Sequence, residues 1–176
     1  LLITFLAGWH TLRGYTANQA YFSAILARAE DRWDDAARHV SAAVEAGIFD
    51  YRYLLQQSEV AQHLGRMDEA LRASERCLDY HPNAITAWYN VGQLRAAAGD
   101  YAGARDALAR TVALDPDNGQ AYGRLGVVYR RLGEADSARS AYTRALALSP
   151  SDRMILYNAA SFYRQQGDVI RAQDLY

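Results

Sequence analysis

The sequence predicts an all-α solenoid of antiparallel helix hairpins, and three observations carry that prediction. Windows 51–84, 85–118 and 119–152 superpose at a strict 34-residue step, with Pro82, Pro116 and Pro150 at the same place in each. Position 15 of these windows is Gly65, Gly99 or Gly133, and position 20 is Ala70, Ala104 or Ala138. The register extends outward: Gly167 and Ala172 fall in place downstream, and Ala36 takes position 20 of a more degenerate unit, 17–50. A fixed period of this length marks a repeat architecture, in which each unit buries its apolar face against its neighbours. Units 17–50, 51–84, 85–118, 119–152 and a partial 153–176 then account for a solenoid over 17–176, with 1–16 as a separate apolar segment.

That segment opens Leu1-Leu2-Ile3-Thr4-Phe5-Leu6-Ala7-Gly8-Trp9. Its apolar run falls short of the roughly 20 residues a bilayer crossing requires. Three readings stay open. It forms the last turns of a longer transmembrane helix, with Trp9, His10 and Tyr15 at the interface and Arg13 beyond it, which makes the chain membrane-tethered or periplasmic. It packs as an apolar helix on the first repeat. Or it is a signal peptide, against which stand the bulky Phe5 and Leu6 where small residues are expected before a cleavage site.

Within each unit the punctuation predicts two helices. Thr16 and Gln19 have the spacing of a capping box before a helix that begins near Ala17. The acidic pairs Asp34-Asp35 and Asp68-Glu69 fall in the first turns of second helices, where they favour the positive end of the helix dipole. In 85–118, Asn83 is the candidate N-cap of a helix carrying Trp88, Val91, Gly92 and Arg95, and Gly99 stops it because glycine tolerates the left-handed C′ conformation. Asp100 caps the next helix, which carries Ala104, Leu108 and Thr111 and ends before Asp115-Pro116, since proline cannot continue it.

At about 100° per residue, positions 4, 7, 8 and 11 of a first helix share one arc, the expected core seam. It holds Trp88, Val91, Gly92 and Arg95 in one unit and Tyr122, Leu125, Gly126 and Tyr129 in the next. Small residues at positions 8 and 20 let paired helices approach to about 8–10 Å between axes. The spacing of Trp88, Tyr122, Tyr129, Tyr142 and Tyr163 makes them core aromatics rather than a ligand box.

These residues resemble the tetratricopeptide repeat family. Its pattern of a large residue at 4, Leu-Gly at 7–8, Tyr at 11, Gly at 15, Ala at 20, an aromatic at 24, Ala at 27 and Pro at 32 is matched by Tyr122, Leu125, Gly126, Tyr129, Gly133, Ala138, Tyr142, Ala145 and Pro150. The chain departs from it at Gln57 and Ser58, which replace Leu-Gly, and at Ile48, which replaces Pro. The resemblance implies a right-handed superhelix whose concave groove holds a partner peptide or helix.

The groove-facing arc in that family is positions 2, 5, 6, 9, 12 and 13 of the first helices. Here it presents Arg52, Leu55, Gln56, Glu59, Gln62 and His63, then Thr86, Tyr89, Asn90 and Gln93. Further on come Gln120, Gly123, Arg124, Val127, Arg130 and Arg131, and finally Met154, Tyr157, Asn158, Ser161, Arg164 and Gln165. From Thr86 to Gln165 that arc carries no acidic residue. The expected partner site is Tyr89, Asn90, Gln93, Arg124, Arg130, Arg131, Tyr157, Asn158 and Arg164, suited to an acidic segment because arginine takes carboxylates in a bidentate fork. Some family members clamp a partner's C-terminal carboxylate at these positions. Asn90 and Arg124 resemble part of that clamp, but Leu55 and Glu59 stand where it needs a basic residue and an Asn.

Composition narrows the function classes. Nineteen basic residues, all Arg, against 20 acidic ones give a net charge of −1, which argues against a general nucleic-acid surface. One cysteine, Cys77, admits neither an intrachain disulfide nor a CxxC metal site. His10, His39, His63 and His81 have no metal-ligand spacing, and neither a nucleophile elbow nor a phosphate-binding loop occurs, so no cofactor, metal or catalytic group is expected. The expected function is a non-catalytic protein–protein interaction scaffold. As an alternative, Leu1–Trp9 followed by Tyr21-Phe22 and 24–30 resembles the end of a membrane helix running into tetratricopeptide repeats in bacterial O-antigen ligase or polymerase-like proteins. On that reading the glycan chemistry lies in another part of the protein.

Overall fold

A computed structural model describes residues 2–46 and 50–175, with side chains from Leu12 onward; Leu1, Ile48 and the side chains of Trp9 and His10 lie outside the described residues. The described residues form ten α-helices arranged as five hairpins, α1 Leu2–Ala29 with α2 Trp33–Glu45, α3 Tyr51–His63 with α4 Met67–Tyr80, and α5 Ile85–Ala97 with α6 Tyr101–Leu114. These are followed by α7 Gly119–Leu132 with α8 Ala135–Leu148 and α9 Arg153–Gln165 with α10 Val169–Gln173. The fold is the expected all-α hairpin solenoid. The chain divides into two compact units, Leu1–Ala87 and Trp88–Tyr176.

In the first unit α1 packs on α2, and α3 packs on both α2 and α4. Small residues let these helices approach: Ala17 and Ala43 meet Tyr53, while Ala27 and Ala36 meet Val60 beneath Trp33 and Leu64. The ring of Trp33 stacks on that of His63 with centroids 3.5 Å apart and planes 14° from parallel, tying the start of α2 to the end of α3. Arg28 of α1 reaches Glu59 of α3 in an ion pair.

One sequence expectation is corrected here. The first helix begins at Leu2 rather than near Ala17, and no break occurs at residue 16. Thr16 therefore caps nothing: its hydroxyl donates to the Arg13 carbonyl at 2.9 Å inside a continuous helix. The cause is local, since residues 2–15 contain no proline and nothing there terminates the backbone ladder. Among the described residues, no helix is long and apolar enough to cross a membrane.

The hairpin turns follow the punctuation. Gly133 ends α7 at φ +79°, and the same position takes a positive φ at Gly65, Gly99 and Gly167. In the first hairpin that position is Asp31 at φ +60°, a conformation aspartate tolerates better than most side chains. Asp100 accepts from the Gly103 N–H at 2.8 Å, as an N-cap should. The acidic pairs Asp34-Asp35 and Asp68-Glu69 stand in the first turns of α2 and α4.

In the second unit α7 is the central element, packed against α6, α8 and α9. Ala138, Tyr142, Ala159, Phe162 and Tyr163 form one buried cluster, and Ala104, Leu108, Leu125 and Val128 belong to another. Gly126 is required by close approach: a Cβ there would lie 2.7 Å from the Tyr142 ring. The seam is wider than four positions. Positions 3 and 10 are buried too, at Ala87, Ala121 and Ile155 and at Leu94, Val128 and Phe162, because a central first helix has neighbours on more than one side. Trp88, Tyr122 and Tyr129 are half-buried, whereas Tyr142 and Tyr163 are fully enclosed.

Candidate functional site

In the Trp88–Tyr176 unit the first helices α5, α7 and α9 bring their non-core faces to one concavity of about 160 Å³. Its lining comes from Tyr89 of α5, from Gln120, Gly123 and Arg124 of α7, and from Met154, Ile155 and Asn158 of α9, with Asp152 at the α9 N-cap. The 34-residue step explains the convergence. Tyr89 and Gly123 hold position 5, Arg124 and Asn158 hold position 6, and Gln120 and Met154 hold position 2, so equivalent side chains line up across the stack.

Gly123 sets the floor. A Cβ at Gly123 would lie 2.9 Å from Cγ1 of Ile155, so α7 and α9 meet there without an intervening side chain. Ile155 is 4% exposed and supplies the apolar base, while Met154 stands 62% exposed at the rim. The Asp152 carboxylate accepts from the backbone N–H groups of Met154 at 2.9 Å and Ile155 at 3.2 Å. Asp152 stands off the arc expected to lack acidic residues, yet it brings one acidic group to the border of the cavity, with capping occupying one of its oxygens.

The nine expected partner residues separate into groups. Tyr89, Arg124 and Asn158 share the cavity. Asn90 and Gln93 are half-buried, and Tyr157, Arg131 and Arg164 are exposed; none of these five borders the cavity. Arg130 is half-buried and does not border the cavity either. Gln56, also assigned to the groove arc, is 5% exposed because α3 is flanked by α2 as well as by α4, and its Nε2 has no hydrogen-bond partner among the described residues. Sequence reasoning missed Ile155 and Asp152; the Asp-x-Met-Ile spacing of an N-cap before an apolar first turn was the available signal.

Charge pairing is uneven among the arginines of the Trp88–Tyr176 unit. On the second helices, Arg105 pairs with Asp106 and Glu134, and Arg144 pairs with Asp117. On the first helices, Arg124, Arg131 and Arg164 form no ion pair among the described residues. Exposed arginines without carboxylate partners keep their donors directed at solvent and at whatever replaces it.

Stacked helix hairpins that present aligned side chains on one concave face define a repeat scaffold. The chain belongs to the tetratricopeptide repeat family, whose profiles match residues 57–123 and 119–152. Comparison of the sequence with curated proteins finds no match. Among solved structures it is similar to a MamA protein (TM-score 0.82, 23% identity, 92% of this chain and 88% of that one). It is also similar to MamA of Desulfovibrio magneticus RS-1 (0.84, 20%, 91% and 90%) and to a thermophilic TPR protein of Thermus thermophilus (0.72, 20%, 91% and 88%). At these identities the likeness speaks for the fold alone. Tetratricopeptide repeats are protein-binding scaffolds and generally not enzymes; the O-antigen ligase-like expectation draws no support from these matches.

Proposed function

We infer that this chain is a non-catalytic scaffold that captures an acidic peptide segment, or a peptide's C-terminal carboxylate, on the α5, α7 and α9 faces of the Trp88–Tyr176 unit. The observation that carries the reading is the meeting of Tyr89, Gln120, Arg124 and Asn158 around one concavity with the apolar Met154 and Ile155. Amide, phenol and guanidinium groups supply oriented hydrogen bonds, and the apolar base takes a side chain. Such a division of labour is usual in binding clefts. Asp152 restricts the register, because a partner carboxylate is favoured beside Arg124 and disfavoured beside the α9 N-cap.

The test is a titration of the full chain against labelled peptides of one length but with acidic, neutral or basic C-terminal segments. The acidic peptide binds best, its affinity falls as salt rises, and Arg124→Glu with Arg131→Glu lowers it by at least about tenfold, about 1.4 kcal/mol. Equal binding of all three peptides, or unchanged affinity in a double variant of intact helicity, overturns the reading.

A further inference from the structure

The cavity on α5, α7 and α9 holds two opposite charges that do not meet. Arg124 of α7 and Asp152 at the α9 N-cap both line it, yet no ion pair joins them among the described residues. Elsewhere in the same unit nearby opposite charges do close on each other: Arg144 reaches Asp117 at 3.3 Å, and Arg105 reaches Glu134 at 3.7 Å. At the cavity the carboxylate is tied down. Asp152 Oδ1 accepts from the N–H groups of Met154 and Ile155, so the group cannot swing toward the guanidinium without giving up its cap. Its Oδ2 accepts no hydrogen bond among the described residues.

The same cavity has an apolar base, with Ile155 4% exposed and Gly123 contributing no side chain. Its 160 Å³ is close to the roughly 150 Å³ that holds one benzene-sized group, so it admits one apolar side chain. A ligand that fills it meets a donor fork, an apolar base and a free carboxylate oxygen at once. A segment acidic throughout satisfies Arg124 but sets a second anion against Asp152. A segment that changes sign across the cavity satisfies both.

Resting on the reading of this face as an acidic-segment site, we propose that the partner segment is bipolar: an acidic group meets Arg124, one apolar side chain sits on Ile155, and a lysine or arginine meets Asp152. Asp152 is then the specificity-determining residue of the site. Alternate residues of an extended peptide share one face, so the motif is acidic, any, apolar, any, basic, in either direction. The size of the preference follows from exposure. An ion pair at a solvent-accessible rim is worth about two- to fivefold in an equilibrium constant, and the α9 dipole already takes up part of the Asp152 charge. Attraction to the unit as a whole works the other way, because Trp88–Tyr176 carries more arginines than acidic residues and favours the more acidic of two peptides.

Fluorescence polarisation of the full chain with three labelled, C-terminally amidated peptides tests this. All three share one acidic segment followed by a leucine, and they differ only two residues beyond it, where they carry lysine, glutamine or glutamate. The lysine peptide binds about threefold tighter than the glutamine peptide, which binds about threefold tighter than the glutamate peptide. Net charge alone gives the reverse order. Asp152→Asn removes the charge but keeps a side chain that caps as well as aspartate, so helicity is retained. In that variant the lysine preference disappears, and the cycle of both proteins with the lysine and glutamine peptides isolates the contact. Added salt shrinks the preference in the unsubstituted chain. Equal binding of the lysine and glutamine peptides, or a lysine preference that survives Asp152→Asn, overturns the proposal and leaves the acidic-segment reading standing. Failure of all three peptides to bind removes that reading, and the bipolar motif falls with it.

Discussion

The α3–α4 hairpin of the first unit and the hairpins of the second fill the same place in opposite ways. Where position 8 of a first helix faces position 24 of its second helix, the Leu1–Ala87 unit has Ser58 and Ser74, both buried, with their hydroxyl oxygens 2.7 Å apart. The Trp88–Tyr176 unit has Gly126 against Tyr142 and Gly92 against Leu108, and a Cβ on either glycine would sit 2.6 to 2.7 Å from the facing side chain. One solution is directional and polar, two small groups joined by a hydrogen bond. The other is volumetric: one partner gives up its side chain so that the other can fill the gap. The departure from Leu-Gly at Gln57-Ser58 is thus matched across the hairpin by the small residue at Ser74.

The two solutions differ most in what it costs to break them. Tyr142→Ala removes a fully buried ring and should cost about 3–5 kcal/mol, the range for emptying a large aromatic site. Gly126→Ala pushes a methyl into that ring and should cost about 1–3 kcal/mol. Ser74→Ala removes one hydrogen bond and leaves Ser58 with the weaker contact from Gln62 at 3.2 Å, a loss of about 1 kcal/mol. Denaturant melts give the order directly. If Ser74→Ala proves as damaging as Tyr142→Ala, the distinction between a volumetric and a directional joint is wrong.

Next in size is a test of the helix register in the second unit. Ala138 is 0% exposed where α8 meets its neighbours, so Ala138→Leu should overpack the joint by about 1–3 kcal/mol. Arg139 is less peripheral than its sequence position implies, because its guanidinium lies 5.9 Å from the ring centroids of both Phe162 and Tyr163. Arg139→Leu should therefore cost about 0.5–1 kcal/mol, above the near-zero effect of a bare surface site. A reversed order in urea melts would put Ala138 outside the seam.

The sequence made the hairpins legible because their ends are chemical: Gly99 and Gly133 are read as left-handed stops, Asp100 as a cap, and prolines as breaks. Asp31 was not legible in the same role, since aspartate visits the left-handed region without requiring it. The start of α1 was misread for a related reason. Thr16 and Gln19 have capping-box spacing, but a cap forms only where the preceding residue leaves the helix, and none before Thr16 forces that. At the candidate site, rotation at 100° per residue put Tyr89, Arg124 and Asn158 on one arc, and they share a cavity. The same arithmetic treats a helix as having one neighbour. The close meeting of α7 and α9 buries Gly123 and brings Ile155 to the floor, neither of which a single helical wheel contains.

The smallest effects concern protons and separate the units by pH. Burial pushes the Cys77 thiol of the first unit up from 9.0 to about 11, and burial pushes the Tyr142 phenol of the second up from 10.0 to about 12. Both groups are raised in the folded chain, so each favours folding in its protonated form. The stabilisation is complete below the unfolded value and drains away as pH rises toward the folded one. For Cys77 that window runs from about 9 to 11, and for Tyr142 from about 10 to 12. Alkaline titration followed by helix content, with thiol reactivity and tyrosinate absorbance as local reporters, should therefore expose Cys77 before Tyr142. Tyr142→Phe separates the ring from its proton. It keeps the buried volume, removes a hydroxyl that has no hydrogen-bond partner among the described residues, and should be neutral or stabilising by up to about 1 kcal/mol near pH 7. The same variant should abolish the loss between pH 10 and 12 while leaving the Cys77 phase in place. A Tyr142→Phe chain that is destabilised near neutrality would show that the phenol hydroxyl has a partner in solution, and that the joint in the second unit is as directional as the serine pair in the first.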